Sequence, residues 1–172
     1  MPYQRGVIDA ISDPNVDTVV IISGGQIGEK KRLLCALGFY ISSDPSPVLF
    51  LHPALEMTQA LAKDRLVTIL RDTPCFKNKF KDPRSRDSGN TTLQKSFPGG
   101  PVTFGGSNSS SSLASCPIRV DFADEVGPMA LSAGAQADPV SLAWKRSPTF
   151  YNRKLVLTST PPIKGASRIE TA

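Results

Sequence analysis

Val19-Val20-Ile21-Ile22-Ser23-Gly24-Gly25-Gln26-Ile27-Gly28-Glu29-Lys30-Lys31 is the stretch on which the reading of this chain turns. Four β-branched residues run into a glycine-containing turn, and the apolar run Leu33-Leu34-Cys35-Ala36-Leu37 follows at once. A buried strand, a glycine turn and a helix whose first N–H groups are free together make the layout of a phosphate-binding loop. Its chemistry departs from the usual ending, Gly-Lys-Ser/Thr, in which lysine neutralises phosphate and the hydroxyl holds magnesium. Here Gly28 is followed by Glu29, and Lys30 stands at the hydroxyl position. A carboxylate about 5 Å from a phosphate charge costs roughly 3 kcal/mol at an effective dielectric near 20. Lys30 or Lys31 offsets that cost if one of them turns inward, and Lys31 has the stem length to reach back one helical turn.

Outward from this loop the pattern alternates. Arg5 to Ile11 forms a short helix ending before Asp13-Pro14, Thr18 to Ile22 a buried strand, and Lys30 to Ile41 the helix after the glycines. Ser42 to Pro47 is a turn cluster before a second buried strand, Val48 to Leu51. Pro53 falls at the first turn of a helix whose stripe is Leu55, Ala62, Leu66, Ile69 and Leu70, with Leu61 at its flank. Thr92 to Phe97 and Val102 to Phe104 flank Pro98-Gly99-Gly100 as a hairpin, and Gly105 to Ser115 reads as a Gly/Ser-rich loop. Pro117 to Ala123 is a strand delivering Asp124-Glu125. Asp138-Pro139 starts a helix, and Lys154 to Thr158 is a last strand closing on Ser159-Thr160-Pro161. Strands alternating with helices imply a mainly parallel α/β sheet, whose ligands bind at the strands' C-terminal ends.

At 172 residues the chain fits one domain, and 40% hydrophobic content argues for a packed core rather than a disordered chain. No apolar run approaches membrane-spanning length, and Met1 to Arg5 lacks the apolar core of a secretion signal, so the expected setting is the cytosol. The net charge of +5 points weakly to polyanionic partners. Much of the excess lies in Lys77, Lys79, Lys81, Arg84, Arg86 and Lys95, which read as a solvated basic loop or, more sharply, as a nucleic-acid contact. Cys35, Cys75 and Cys116 are odd in number and far apart, which argues against a zinc site or a disulfide framework and leaves buried thiols as the expectation. His52, the one histidine, precedes Pro53 in an expected loop with no evident orienting partner, which leaves little room for Ser-His or Cys-His catalysis.

Three segments at strand ends carry chemistry, each beside a plainer reading. Gly24 to Lys31 is an anion cradle or an ordinary strand-to-helix turn. Asp124-Glu125 is a magnesium-holding and water-activating pair or an acidic turn, and Asp121 is a charge that a fully buried strand would resist. Thr158-Ser159-Thr160-Pro161 senses a γ-phosphate or is a common turn. Their order, glycine loop, acid pair and hydroxyl turn, favours the first reading of each.

Taken together these segments resemble the ATPase domain of the GpA-type large terminase subunit, the DNA-packaging motor of tailed phages. The likeness runs through nearly the whole chain. It is carried by Tyr3 to Pro14, Gln26-Ile27-Gly28, Lys63-Asp64-Arg65-Leu66, Arg71-Asp72-Thr73-Pro74, the run Asp82 to Asn90, Phe97-Pro98-Gly99-Gly100, Pro117-Ile118-Arg119, Asp124-Glu125-Val126, and Ser159-Thr160-Pro161 through Glu170. The resemblance implies an ASCE-type P-loop NTPase sheet binding ATP and Mg2+. Gly24, Gly25, Gln26, Ile27, Gly28, Lys30 and Lys31 would bind nucleotide, with Tyr3 near the adenine end. Asp124 would hold magnesium through water, and Glu125 with Lys31 would be catalytic. Ser159 and Thr160 would couple hydrolysis to DNA movement. Double-stranded DNA, a small terminase subunit, the portal of the procapsid and further copies of the chain are the partners implied, in the host cytoplasm and without a membrane.

The departures from the family are Glu29 and Lys30 in the loop, with Lys31 at a shifted lysine place, Asp121 where an apolar residue is preferred, and Gly127 where a second acid is common. Relative to the family the chain is expected to be a truncated ATPase domain over residues 1–172, without the small-subunit-binding region or the nuclease, so no DNA cleavage is expected of it. Two readings stay open: an ATPase module acting in packaging, and a degenerate, non-catalytic remnant or interaction module. Arg32, Arg84 and Arg86 are arginine-finger candidates.

Overall fold

The computed structural model describes residues 2–25, 27–76, 79–80, 91–109, 117–133, 137–161 and 169. Of the residues singled out above, Gln26, Lys77, Lys81, the run Asp82 to Asn90 with Arg84 and Arg86, residues 110–116 with Cys116, residues 162–168 and Glu170 lie outside them.

Among the described residues six strands form one sheet: β1 (Thr18–Ile22), β2 (Val48–His52), β3 (Gln94–Phe97), β4 (Gly100–Gly106), β5 (Val120–Ala123) and β6 (Lys154–Ser159), in the order β1-β6-β5-β2-β4-β3. Every pairing is parallel except the β3–β4 hairpin. The mainly parallel α/β expectation is therefore met, and the hairpin lies where Pro98-Gly99-Gly100 placed it. Strands β2, β5 and β6 are buried at every position, as parallel strands covered on both faces must be. β1, expected to be a buried strand, instead alternates exposed and buried, because it lies at the end of the strand order with one face open.

Alternation along the strands divides the core in two. One face carries Val48, Phe50, Phe104, Val120, Phe122 and Val156, and is covered by α1 (Pro2–Ser12), α2 (Glu29–Ser42) and the helical segment after β2. The other carries Leu49, Leu51, Ala123, Leu155 and Leu157, against Ile118, Val126, Met129 and α5 (Pro139–Trp144). Asp138 caps α5 as expected, its carboxylate accepting from the Ser141 amide at 2.8 Å.

Several boundaries differ from the sequence reading, each for a physical reason. The segment after β2 begins at Leu55 as α3 (Leu55–Ala60), with Ala54 extended, so Pro53 precedes the helix rather than sitting in its first turn. It then widens into a π-helix, Leu61–Leu66, before α4 (Val67–Asp72). A π turn takes more residues per revolution than an α turn. Leu61, expected at the flank of the stripe, is thereby buried with Ala62 and Leu66. Gly105 and Gly106 continue β4 instead of opening a loop, because they pair with Leu51 and His52. The strand expected from Pro117 starts at Val120. Cys35 and Cys75 are exposed rather than buried, since each falls on the solvent side of its helical turn.

His52 is the last residue of β2, not part of a loop, and is 1% exposed. Asp121 is 2% exposed in the middle of the sheet, despite the cost of burying a carboxylate there. Its Oδ2 accepts from the Ser147 hydroxyl at 2.9 Å while Oδ1 has no partner. Burial outweighs that hydrogen bond and pushes the carboxyl up to about 7.

Candidate nucleotide site

The parallel register brings the C-terminal ends of β1, β6, β5 and β2 side by side, and each end delivers a polar side chain. These are Ser23 just after β1, Thr158 and Ser159 on β6, Asp124 just after β5, and His52 on β2. Backbone bonds tie the ends together, from Ser23 N to Ser159 O (3.1 Å), Asp124 N to Leu51 O (2.9 Å) and Val126 N to Thr158 O (2.9 Å).

Facing them is the start of α2. Gly28 caps this helix in the left-handed region (φ 89°, ψ 23°) and offers no side-chain cap, so the first-turn N–H groups remain free for an anion. A Cβ at Gly28 would lie 2.9 Å from Gln4 Nε2 and would be strained by the backbone angle as well. Gly24 and Gly25 are exposed, with open space where a Cβ would stand. Gly28→Ala is therefore expected to destabilise the fold by about 1 kcal/mol, read from a urea unfolding midpoint, whereas Gly24→Ala costs less. Equal losses at the two positions would contradict this reading of the turn.

Asp124 is wholly buried. Its Oδ1 accepts from Thr158 Oγ1 at 2.6 Å, and its Oδ2 lies 3.1 Å from His52 Nε2. His52 is in turn stacked on Phe50, with ring centroids 5.4 Å apart. Burial opposes ionisation of Asp124. The polar contacts with His52 and Thr158, with the charges of His52 and Lys30, outweigh it and hold the carboxyl below its ordinary value.

Glu125 adopts φ 56°, a conformation that residues other than glycine enter at a cost. Glu125 Oε1 lies 3.2 Å from Lys30 Nζ, with both side chains about one-third exposed. Glu29 turns the other way. Its Oε1 is buried without a hydrogen-bond partner. Burial raises its pKa, and the neighbouring Asp124 charge adds to this, against the lowering influence of Thr158, Ser23 and Arg32.

The remaining candidates sort by position. Lys31 is exposed, as is Thr160. Ser159 is buried and its Oγ accepts from the Gly127 amide at 3.2 Å. Tyr3 is half exposed and its hydroxyl donates to the carbonyl of the exposed Ile27 at 3.4 Å, which sets it against the glycine loop. Lys79 donates to the carbonyls of Ile41 (3.3 Å) and Ser42 (3.0 Å), satisfying the C-terminal end of α2. Arg32 is 4% exposed and donates to Ser23 Oγ at 3.3 Å, so this finger candidate is enclosed within its own chain and does not project toward a neighbour.

His52 and Ser23 were not assigned to the site from sequence, Thr158 was read only as part of the hydroxyl turn, and Arg32 only as an arginine-finger candidate. For His52 a signal existed: a histidine directly after four apolar residues stands at a strand's C-terminal end, where an α/β sheet places its ligands. For Ser23, and for the pairing of Thr158 with Asp124, strand adjacency was needed, and sequence does not supply it.

A parallel sheet with an uncapped, glycine-preceded helix start facing a buried aspartate defines the P-loop nucleotide-binding class of α/β protein. The family described as "Phage terminase large subunit gpA, ATPase domain" matches residues 1–172, and the chain belongs to that family. It is 25% identical over 181 residues to the "Terminase, large subunit" of Enterobacteria phage P21, an alignment covering 100% of this chain and 27% of that protein. The chain thus spans about a quarter of this curated relative. Among solved structures it resembles the large terminase of bacteriophage HK97 (TM-score 0.77, 14% identity, 99% of this chain and 35% of that one). It also resembles the large terminase of a thermophilic bacteriophage in complex with ADP (TM-score 0.60, 15% identity, 91% and 37%). At these identities the likeness concerns the fold.

Proposed function

We propose that the chain is an ATP-binding and ATP-hydrolysing module of a large terminase subunit that drives double-stranded DNA into capsids. The observation that carries this reading is the buried Asp124 carboxylate at the strand ends, opposite the free N–H groups of α2. Family membership and the ADP held by a structural neighbour support it. Magnesium fits this position on the chemistry of the donors, since Asp124 Oδ2 and Glu29 Oε1 are both buried carboxylate oxygens without a hydrogen-bond partner. Bound there, the ion would neutralise charge on the transferring phosphoryl group.

The chain's own residues then divide the work. The α2 N-terminus and Lys30 receive phosphate, and Gly28 provides the turn that exposes those N–H groups. Lys30 is held by Glu125 before nucleotide arrives, and a phosphate that draws Lys30 away frees Glu125 to accept a proton from the attacking water. Ser159, tied to the backbone after Glu125 through Gly127, is placed to pass a change at the site into the following segment, with Thr160 beside it. Tyr3 sits against the loop carbonyl and would border the bound nucleotide. Lys79 and the basic run around it, a small terminase subunit, the capsid portal and further copies of the chain are the proposed macromolecular contacts, in the host cytoplasm. No helix among the described residues is long and apolar enough to cross a membrane.

Calorimetric titration with a slowly hydrolysed ATP analogue, with and without Mg2+, tests the proposal. Saturable Mg2+-dependent binding is expected. Lys30→Ala should weaken it by about tenfold, the scale of one lost charge-assisted hydrogen bond. Lys31→Ala should weaken it less, because Lys31 faces solvent. The reverse ranking would restore Lys31 as the phosphate lysine. A second reading, a folded but non-catalytic module, is favoured by Glu29, whose carboxylate stands in the loop where a lysine is usual. Absence of analogue binding by the folded chain would select it.

A further inference from the structure

Glu29 is the loop residue that sets this site apart from the usual phosphate loop. A free carboxylate beside phosphate is unfavourable by a few kcal/mol, roughly 3 at about 5 Å. Yet its side chain does not turn to solvent as that repulsion would require. Its Oε1 is enclosed and unpartnered, and Thr158 and Ser23 lie close enough to act on the same carboxylate. The Thr158 hydroxyl donates to Asp124 Oδ1 at 2.6 Å. The second oxygen, Asp124 Oδ2, is also enclosed and lacks a hydrogen bond, in a side chain that is wholly buried. Two carboxylates thus converge on Thr158, each with an orphaned oxygen. Lys30 pairs with Glu125 and Arg32 donates to Ser23. Lys30 and His52 act on Asp124, and Arg32 on Glu29, through their charge, while neither orphaned oxygen accepts a hydrogen bond from them.

We propose that Glu29 is a direct ligand of a divalent cation shared with Asp124, taking the part that a loop hydroxyl plays in other P-loop proteins. The inference rests on the reading that a cation binds at Asp124. Its consequence is that the cation binds before nucleotide and without it. A Ser or Thr hydroxyl is a neutral ligand that depends on phosphate oxygens to hold the ion, whereas two carboxylates balance its charge on their own. No group of three or more His, Cys, Asp or Glu side chains arranged for a metal occurs among the described residues. Mg2+ and Mn2+ sites of this kind take one or two carboxylates with water and substrate phosphate as the other ligands. A cation between Glu29 and the phosphates also turns their repulsion into bridging, which removes the objection to Glu29 in the loop. His52, packed on Phe50 and 3.1 Å from Asp124 Oδ2, acts as a positioning residue for that carboxylate.

The test is Mn2+ titration of the whole chain followed by electron paramagnetic resonance, first without nucleotide and then with the ATP analogue. One Mn2+ per chain is expected in the absence of nucleotide. Glu29→Gln and Asp124→Asn should each weaken it by about tenfold or more, since each removes one ligand charge. Glu29 is at a helix start, and the isosteric Glu29→Gln keeps the test independent of any folding defect in the Asp124 variant. The proposal is overturned if the wild-type chain binds no Mn2+ without nucleotide, or if Glu29→Gln binds it as tightly as wild type. In either case Mn2+-dependent analogue binding that survives Glu29→Gln would leave the ATPase reading standing. Loss of all metal and nucleotide binding in the wild-type chain would remove both.

Discussion

Asp124→Asn is expected to lower ATP turnover by roughly 10²-fold or more, the scale of losing one preorganised electrostatic group. The substitution is close to isosteric, and the amide oxygen can still accept from Thr158 Oγ1, so the loss isolates the charge rather than the packing. The same charge also contributes to stability. Opposed by burial but favoured by His52, Thr158 and Lys30, the Asp124 carboxyl sits below its ordinary value in the folded chain. A depressed folded-state value means stability that is present above the unfolded value of 3.8 and lost as pH falls through the folded one. Asp124→Asn should therefore flatten the acid limb of the unfolding curve below about pH 4. Steady-state phosphate release and acid unfolding followed by circular dichroism check the two parts. Turnover within about threefold of wild type would show that Asp124 does not serve the reaction.

Asp121→Asn is expected to do the opposite to stability, raising it above neutral pH. Asp121 projects between Leu49 of β2 and Leu155 of β6, and burial lifts its carboxyl from 3.8 to about 7. A raised folded value means stability that is full below the unfolded value and declines as pH rises toward the folded one. The penalty is complete above about 7, where both states are ionised. A rise of this size corresponds to at most about 4 kcal/mol. Asparagine keeps an acceptor for the Ser147 hydroxyl and never ionises. Its advantage should grow from about pH 4 to 7 and then level off. Urea unfolding of both proteins at pH 5 and pH 8 measures it, and an unchanged gap between the two pH values would contradict the burial argument. Because Asp121 sits on the strand that presents Asp124 and Glu125, the variant also tests whether stiffening this strand alters nucleotide turnover.

Much of the fold was legible because parallel strands and amphipathic helices leave periodic traces. Val19 to Ile22, Val48 to Leu51 and the Pro98-Gly99-Gly100 turn each announced their element within a few residues. The long helix after β2 was read with the wrong face for Leu61, because a π turn shifts the stripe without any local marker in the composition. Cys35 and Cys75 were misplaced for a related reason: residue type favours burial, but position on the helical turn decides it.

The site divides in the same way. Gly28, Asp124, Glu125, Ser159 and the two loop lysines stood out from sequence, because strand-end glycines, acids and hydroxyls have recognisable chemistry and order. Which lysine turns inward was not legible, since Lys30 and Lys31 are adjacent on one helical turn and only its orientation against β5 places Lys30 at Glu125. Likewise the sequence alone established a phosphate-loop α/β protein of terminase type with an acidic loop residue. The pairing order β1-β6-β5-β2 then placed Thr158 against one oxygen of Asp124 and His52 against the other, and enclosed Glu29 beside them. Those contacts join residues more than thirty positions apart in the chain, and no local pattern specifies them. They arise only when the strands lie side by side and burial removes the water that would otherwise satisfy each carboxylate.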